Sequence, residues 1–155
     1  MSGFSGSANL MTELVRQTAK LSWTGDTAET IVLTVNIPPL GIKSYLDISS
    51  LWSMPNNSNN KIVRVRLGGI AGTVLMQWTA TTIASVTDIH RIVANRGATN
   101  SQVCTNALVF GAISSGVPNT TSIETNAGTT LVFTVQNASA GDTTNLEYAV
   151  VNLVM

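Results

Sequence analysis

The sequence predicts an all-β domain: an antiparallel β-sandwich, jelly-roll-like, with a short N-terminal arm or helix. Three observations predict it. About eight to ten runs rich in Val, Ile, Leu and Thr are broken at fairly regular intervals by Gly, Pro, Asn and Ser clusters, the pattern of short strands joined by turns. No long segment holds a helical period, and no internal repeat points to a propeller or solenoid. One cysteine, Cys104, cannot supply the Cys…Trp…Cys signature of an immunoglobulin domain. The strand count then favours the jelly roll.

Residues 1–20 read as an arm and residues 21–155 as the β domain. Residues 1–8 are rich in Gly and Ser and lack a packing stripe. Leu10, Met11, Leu14 and Val15 fall on one face of a helical turn or two, with Asn9 placed to cap it. A helix this short is marginal alone, so the arm either folds back on its own domain or reaches onto a neighbouring subunit. Those four residues are the candidate assembly contacts.

The strands follow. Residues 30–37 are β-branched and stop at Pro38-Pro39, which cannot donate to a ladder. Residues 44–52 alternate, separating Tyr45 from Leu46 and Ile48. Pro55-Asn-Asn-Ser-Asn-Asn60 is a polar turn with no apolar anchor. Residues 61–67 alternate again, sending Val63, Val65 and Leu67 one way and Ile62, Arg64 and Arg66 the other. Gly68, Gly69 and Gly72 then mark a tight turn. Further strands are expected at 73–82, 87–94, 103–110, 129–135 and 146–155, with a short one at 122–125.

The chain has 155 residues, 44% hydrophobic and 10% charged, with formal net charge +0. An ordinary domain has about 25% charged residues. Roughly a third of the chain is Ser, Thr and Asn, so its surface is neutral polar or covered in an assembly. Lys and Arg are scattered, the densest group being Lys61, Arg64 and Arg66, which argues against binding nucleic acid. Apolar runs fall short of the roughly 18 residues of a membrane helix. No secretory signal is read at the N-terminus, so synthesis in a reducing cytoplasm is expected, and the glycosylation-type sites at Asn56, Asn119 and Asn137 are taken as turn residues.

No constellation for chemistry stands out. His90 is the only histidine, too few for a His-based metal site, and Cys104 is expected to be a small buried hydrophobe. The eight carboxylates lie in no recognisable pair, and no calcium loop is present. Gly68 to Gly72 lacks the Lys-Ser/Thr of a phosphate loop. The expectation is no catalytic residue, no cofactor and no metal. Trp23, Trp52 and Trp78 are expected in the core or at a subunit interface.

Four stretches carry a resemblance: Glu29-Thr-Ile-Val-Leu-Thr-Val-Asn-Ile-Pro38, Trp52-Ser-Met-Pro-Asn-Asn-Ser-Asn-Asn-Lys-Ile-Val-Arg-Val-Arg-Leu-Gly-Gly69, Ile92-Val-Ala-Asn-Arg-Gly-Ala-Thr-Asn-Ser-Gln-Val103 and Ala138-Ser-Ala-Gly-Asp-Thr-Thr-Asn-Leu-Glu147. They resemble segments of small bacteriophage virion surface proteins: capsid decoration, head-fibre and tail-fibre-tip β domains. The first 25 or so residues do not share in it. Pro38-Pro39-Leu40-Gly41 stands where similar chains often carry Pro-Ala-Gly, which puts that turn in question. The resemblance implies a compact domain, usually a homotrimer, on the outside of a virion. Its expected partners are its own copies and the major capsid protein or another virion protein, with no nucleic acid and no membrane. It would be made in the host bacterial cytoplasm. The alternative is a tail-fibre or receptor-binding module for host glycan. The candidate loop contacts for that reading are Asn56, Asn57, Asn59, Asn60 and the polar run 114–121, with Trp78 or Trp52 as a stacking surface.

Overall fold

The computed structural model describes residues 10–25, 27–81, 87–104 and 118–155, and at 87 and 88 the backbone alone. Eleven strands are present among them: β1 (Met11–Gln17), β2 (Leu21–Thr24), β3 (Thr30–Ile37), β4 (Tyr45–Ser53), β5 (Lys61–Leu67), β6 (Thr73–Ala80), β7 (Thr87–Asn95), β8 (Gln102–Cys104), β9 (Asn119–Thr121), β10 (Thr129–Asn137) and β11 (Thr143–Val154). All pairings are antiparallel.

One sheet runs β1-β11-β4-β7-β8-β9, with β2 continuing β1 along the same edge of β11; the other runs β3-β10-β5-β6. The chain crosses between sheets at β2–β3, β3–β4, β4–β5, β6–β7, β9–β10 and β10–β11. A seven-stranded and a four-stranded antiparallel sheet, interleaved along the chain and packed face to face, form a jelly-roll-like β-sandwich.

The core lies between the sheets. Alternation places Leu46, Ile48 and Trp52 of β4, Val63, Val65 and Leu67 of β5, and Leu131, Phe133 and Val135 of β10 inward, all essentially inaccessible. Trp52 and Phe133 meet with ring centroids 6.5 Å apart, tilted by 38°, a geometry that contributes about 0.5–1.5 kcal/mol beyond area burial. The turn after β5 needs its glycines. Gly68 and Gly69 have φ of 94° and 80°, and a Cβ on Gly72 would lie 2.0 Å from the Leu67 carbonyl oxygen.

Three expectations are corrected. The helical reading of Leu10, Met11, Leu14 and Val15 fails: 11–17 is a strand on β11, with a bulge between Glu13 and Val15. The bulge brings the adjacent Leu14 and Val15 both into partial burial against the core, which mimics helical spacing. A short isolated helix cannot compete with the open edge of a 12-residue strand. Second, residues 122–125 are not a strand; the short strand is Asn119–Thr121. Third, Asn119 and Asn137 lie in strands, not turns. Of the strand expected at 103–110, residues 105–110 lie outside the described residues, as does 114–117 of the polar run. In the Pro38-Pro39-Leu40-Gly41 turn, Leu40 is 5% exposed and belongs to the core, its amide donating to Thr125 O at 2.9 Å.

Candidate functional site

The side chains with chemical potential are dispersed. His90 sits on the outer face of the larger sheet, where Nε2 lies 2.5 Å from Asp47 Oδ1 and the imidazole is 55% exposed. Cys104 faces the opposite way, into the core, with Sγ 3.7 Å from Leu75 O. Burial pushes its thiol above the ordinary range, against smaller opposing effects of Asn119 and Arg91. The sheet itself separates the two groups. Among the described residues, no three His, Cys, Asp or Glu side chains gather as metal ligands.

Charge on the smaller sheet is consumed internally. Glu29, entering β3, takes a bidentate pair from Arg66 (Nε–Oε1 and Nη2–Oε2, both 2.7 Å), a contact from Arg64 at 3.1 Å and the Thr134 hydroxyl at 2.6 Å. Burial raises the Glu29 carboxyl, but the bonds from Arg66 and Thr134 and the two guanidinium charges outweigh it and hold it below its usual range. The basic group seen in the sequence is therefore tied down, and Lys61 is its extreme: fully buried, donating to Asn57 O at 3.2 Å and Asn57 Oδ1 at 2.8 Å.

The same contacts revise the candidate loop. Asn57 Nδ2 donates to Asp142 Oδ1 at 2.6 Å, and Asn59 Nδ2 donates to Asp142 Oδ2 at 3.0 Å. Asn57 thus relays between a buried ammonium and a buried carboxylate, which supplies the anchor missing from the sequence. Asn137 and Thr144 extend the knot: Asn137 Nδ2 donates to Asp142 O, and Thr144 Oγ1 to Asn137 Oδ1. Only Asn56 and Asn60 of the four candidate contacts are exposed. Trp52 is fully buried, its Nε1 donating to Ser50 Oγ at 3.1 Å, and cannot stack on a ligand. Trp78 lies opposite inward-facing Val63 and packs on the core while remaining partly accessible.

Two surfaces keep groups that the described fold does not use. The first is the outer face of the larger sheet. Of the seven exposed large apolar residues among those described, Met11 and Ile92 lie on it, and Leu10 and Met155 flank the ends of β1 and β11. Register places Met11, Val154, Tyr45 and Ala94 in one row across β1, β11, β4 and β7, with Ile92 beside Asp47 in the next. Of the candidate arm residues, Leu10 and Met11 are 60% and 64% exposed, whereas Leu14 and Val15 pack on their own domain. The second surface is a polar cleft between the start of β6, the β7–β8 turn and β9. The sequence pointed to neither as a unit, because each is assembled from distant strands.

No family model matches the sequence, and no curated protein matches it. Among solved structures, one from work on Bacillus endospore appendages, a family of disulfide-linked pili, matches at TM-score 0.45 and 12% identity, covering 99% of this chain and 95% of that one. An infectious bursal disease virus (Gx strain) chain matches at TM-score 0.43 and 9% identity; this chain covers 32% of its length. The CBM2 module of a Lactobacillus casei phage J-1 evolved Dit matches at TM-score 0.36 and 9% identity, over 78% of this chain and 68% of that one. None of these likenesses carries a function over.

Proposed function

We propose that this chain is a non-enzymatic structural subunit that self-assembles, as a homotrimer, on the surface of a phage particle, in the manner of a capsid decoration or head-fibre protein. The carrying observation is the outer face of the larger sheet. Met11 and Ile92 are 64% and 47% exposed there, in and beside a row that holds half-buried Tyr45 and Ala94 and buried Val154, next to the Asp47–His90 pair. A chain of zero formal charge has little long-range repulsion to keep such faces apart. Sheet edges offer a poorer route to association. At the bulged edge of β6, Asn119 Nδ2 donates to Val74 O at 2.7 Å and Cys104 Sγ approaches Leu75 O, and the edge strand β1 carries Glu13 paired with Arg16. Added subunits would stabilise a shell by mass action, since they bind the assembled state and not its parts.

The location is tested by electron microscopy of the native particle with an antibody against this chain. Label on the head surface is expected. Label confined to the tail, or none on the particle, contradicts the decoration reading.

A further inference from the structure

We propose that the cleft between the start of β6, the β7–β8 turn and β9 binds a hydroxyl-rich ligand that carries one acidic group, such as an acidic saccharide unit or a polyol phosphate. The cleft has a volume of about 470 Å³, within the range of small-ligand sites. All its described lining residues are polar. Among the described lining residues Arg96 supplies the only formal charge, with no carboxylate to neutralise it.

What distinguishes the site is that its polar groups are unspent. The side chains of Arg96, Asn100, Ser101, Thr120 and Ser122 line it and make no hydrogen bond to another described residue. Thr73 and Thr121 close one wall with a hydroxyl–hydroxyl contact of 3.0 Å. A second cavity, of about 320 Å³ beside Thr27 and Asn60, shows the contrast. Two of its three amides are occupied, leaving Asn60: Gln136 bonds Arg64 and Thr27 O, and Asn137 bonds Asp142 O and Thr144.

The chemistry of the lining selects the ligand class. A guanidinium is a planar fork that matches a carboxylate or phosphate in two parallel bonds. Hydroxyls and an amide both donate and accept, as sugar hydroxyls do. With no aromatic ring among the described lining residues, recognition rests on hydrogen bonds and on the one charge.

The cleft is also built on a fixed floor. Gly97, at φ 77°, turns the chain between β7 and β8, and Arg96 N donates to Ser101 O at 2.8 Å. Beneath, Asn95, Gln102 and Thr125 are all nearly inaccessible. Gln102 Nε2 donates to Asn95 Oδ1 at 2.9 Å and to Thr99 O at 2.8 Å, and Thr125 Oγ1 donates to Thr99 O at 2.6 Å. Asn95 Nδ2 completes the set on Gly41 O at 2.9 Å. These are positioning residues: they hold the turn that presents Arg96, Asn100 and Ser101 before any ligand arrives.

The test is an NMR titration of the ¹⁵N-labelled full chain with glucuronate, with glycerol phosphate and with neutral glucose. At least one acidic ligand should shift resonances at Thr73, at residues 96–101 and at residues 120–122, saturating in the range of about 1–10 mM. Arg96→Gln should weaken that binding about tenfold or more, as expected for loss of a charge-assisted bond, while Asn56→Ala, in a different loop, should not. Response to glucuronate alone identifies a saccharide carboxylate; response to glycerol phosphate alone identifies a polyol phosphate; response to both supports the shared acidic class. Silence with both at about 50 mM, equal response to glucose, or binding that survives Arg96→Gln overturns the proposal. The self-assembly reading is independent, since a chain that fails to associate would still present this cleft.

Discussion

Lys61 shows how one side chain can be decided by phase alone. Alternation puts Val63, Val65 and Leu67 inward, and the same period of two sends Lys61 inward with them. The signal was present in the sequence, although Lys61 was grouped there with the outward Arg64 and Arg66. Its partners could not be read, because Asn57 and Asp142 belong to different loops. Ser50 repeats the lesson in phase with Leu46, Ile48 and Trp52, buried and bonded to the Trp52 indole. Glu29 carries a pH consequence. Its carboxyl is depressed in the folded protein, so its contribution is fully present above the unfolded carboxylate range near pH 4.5. That contribution is lost as pH falls through the lower folded value. Glu29→Gln, which leaves Arg64 and Arg66 adjacent without their counter-charge, is expected to reduce stability at pH 7 by about 1.5–3 kcal/mol. The deficit relative to wild type should shrink as pH falls from about 5 toward 2. Urea denaturation across that range checks it, and a deficit independent of pH would remove Glu29 from the account.

β5, which alternates strictly, and β3, dense in β-branched residues despite a bulge near Val32, match the runs at 61–67 and 30–37. The elements missed or misread are short ones whose pattern is interrupted or too brief to read. β1 contains a bulge, β2 has only four residues, and β9 has three. Strands this short have no periodicity to detect, and they form because a longer neighbour supplies the ladder. β1 also changes what the N-terminal segment does. Six of its residues pair with β11, and Leu14 and Val15 cover part of the core. Removing residues 1–9 is expected to leave thermal stability nearly unchanged. Removing residues 1–20 takes away the strand and its packing, a loss of about 3–5 kcal/mol that should lower Tm by about 10–15 °C. Differential scanning calorimetry of the two truncations decides between a strand belonging to the domain and a separable arm, which predicts equal Tm values.

At the level of the molecule, composition and turn spacing were enough for the all-β class and the jelly-roll preference, because both follow from counting strands and breaks. Strand order was not readable, since it depends on which inward faces meet across 100 or so residues of chain. The same limit hid both surfaces. Met11, Tyr45 and Ile92 come from three separate strands, and Arg96, Thr120 and Ser122 from either side of a segment outside the described residues. Among the candidate glycan contacts the complementary limit applies: Asn57 and Asn59 look like free turn residues in sequence but are held by Asp142. What remains is a domain whose Glu29, Arg64 and Arg66 are paired on the smaller sheet and whose larger sheet turns Met11 and Ile92 outward. Copies that meet through that face in a closed ring would be related by a rotation, as in symmetric oligomers generally. Sedimentation equilibrium of the purified chain beside its Ile92→Lys variant tests this most directly. The account predicts about three times the 16.3 kDa chain mass for the native protein and a folded monomer for the variant; a native monomer, or a variant that keeps the native mass, would contradict it.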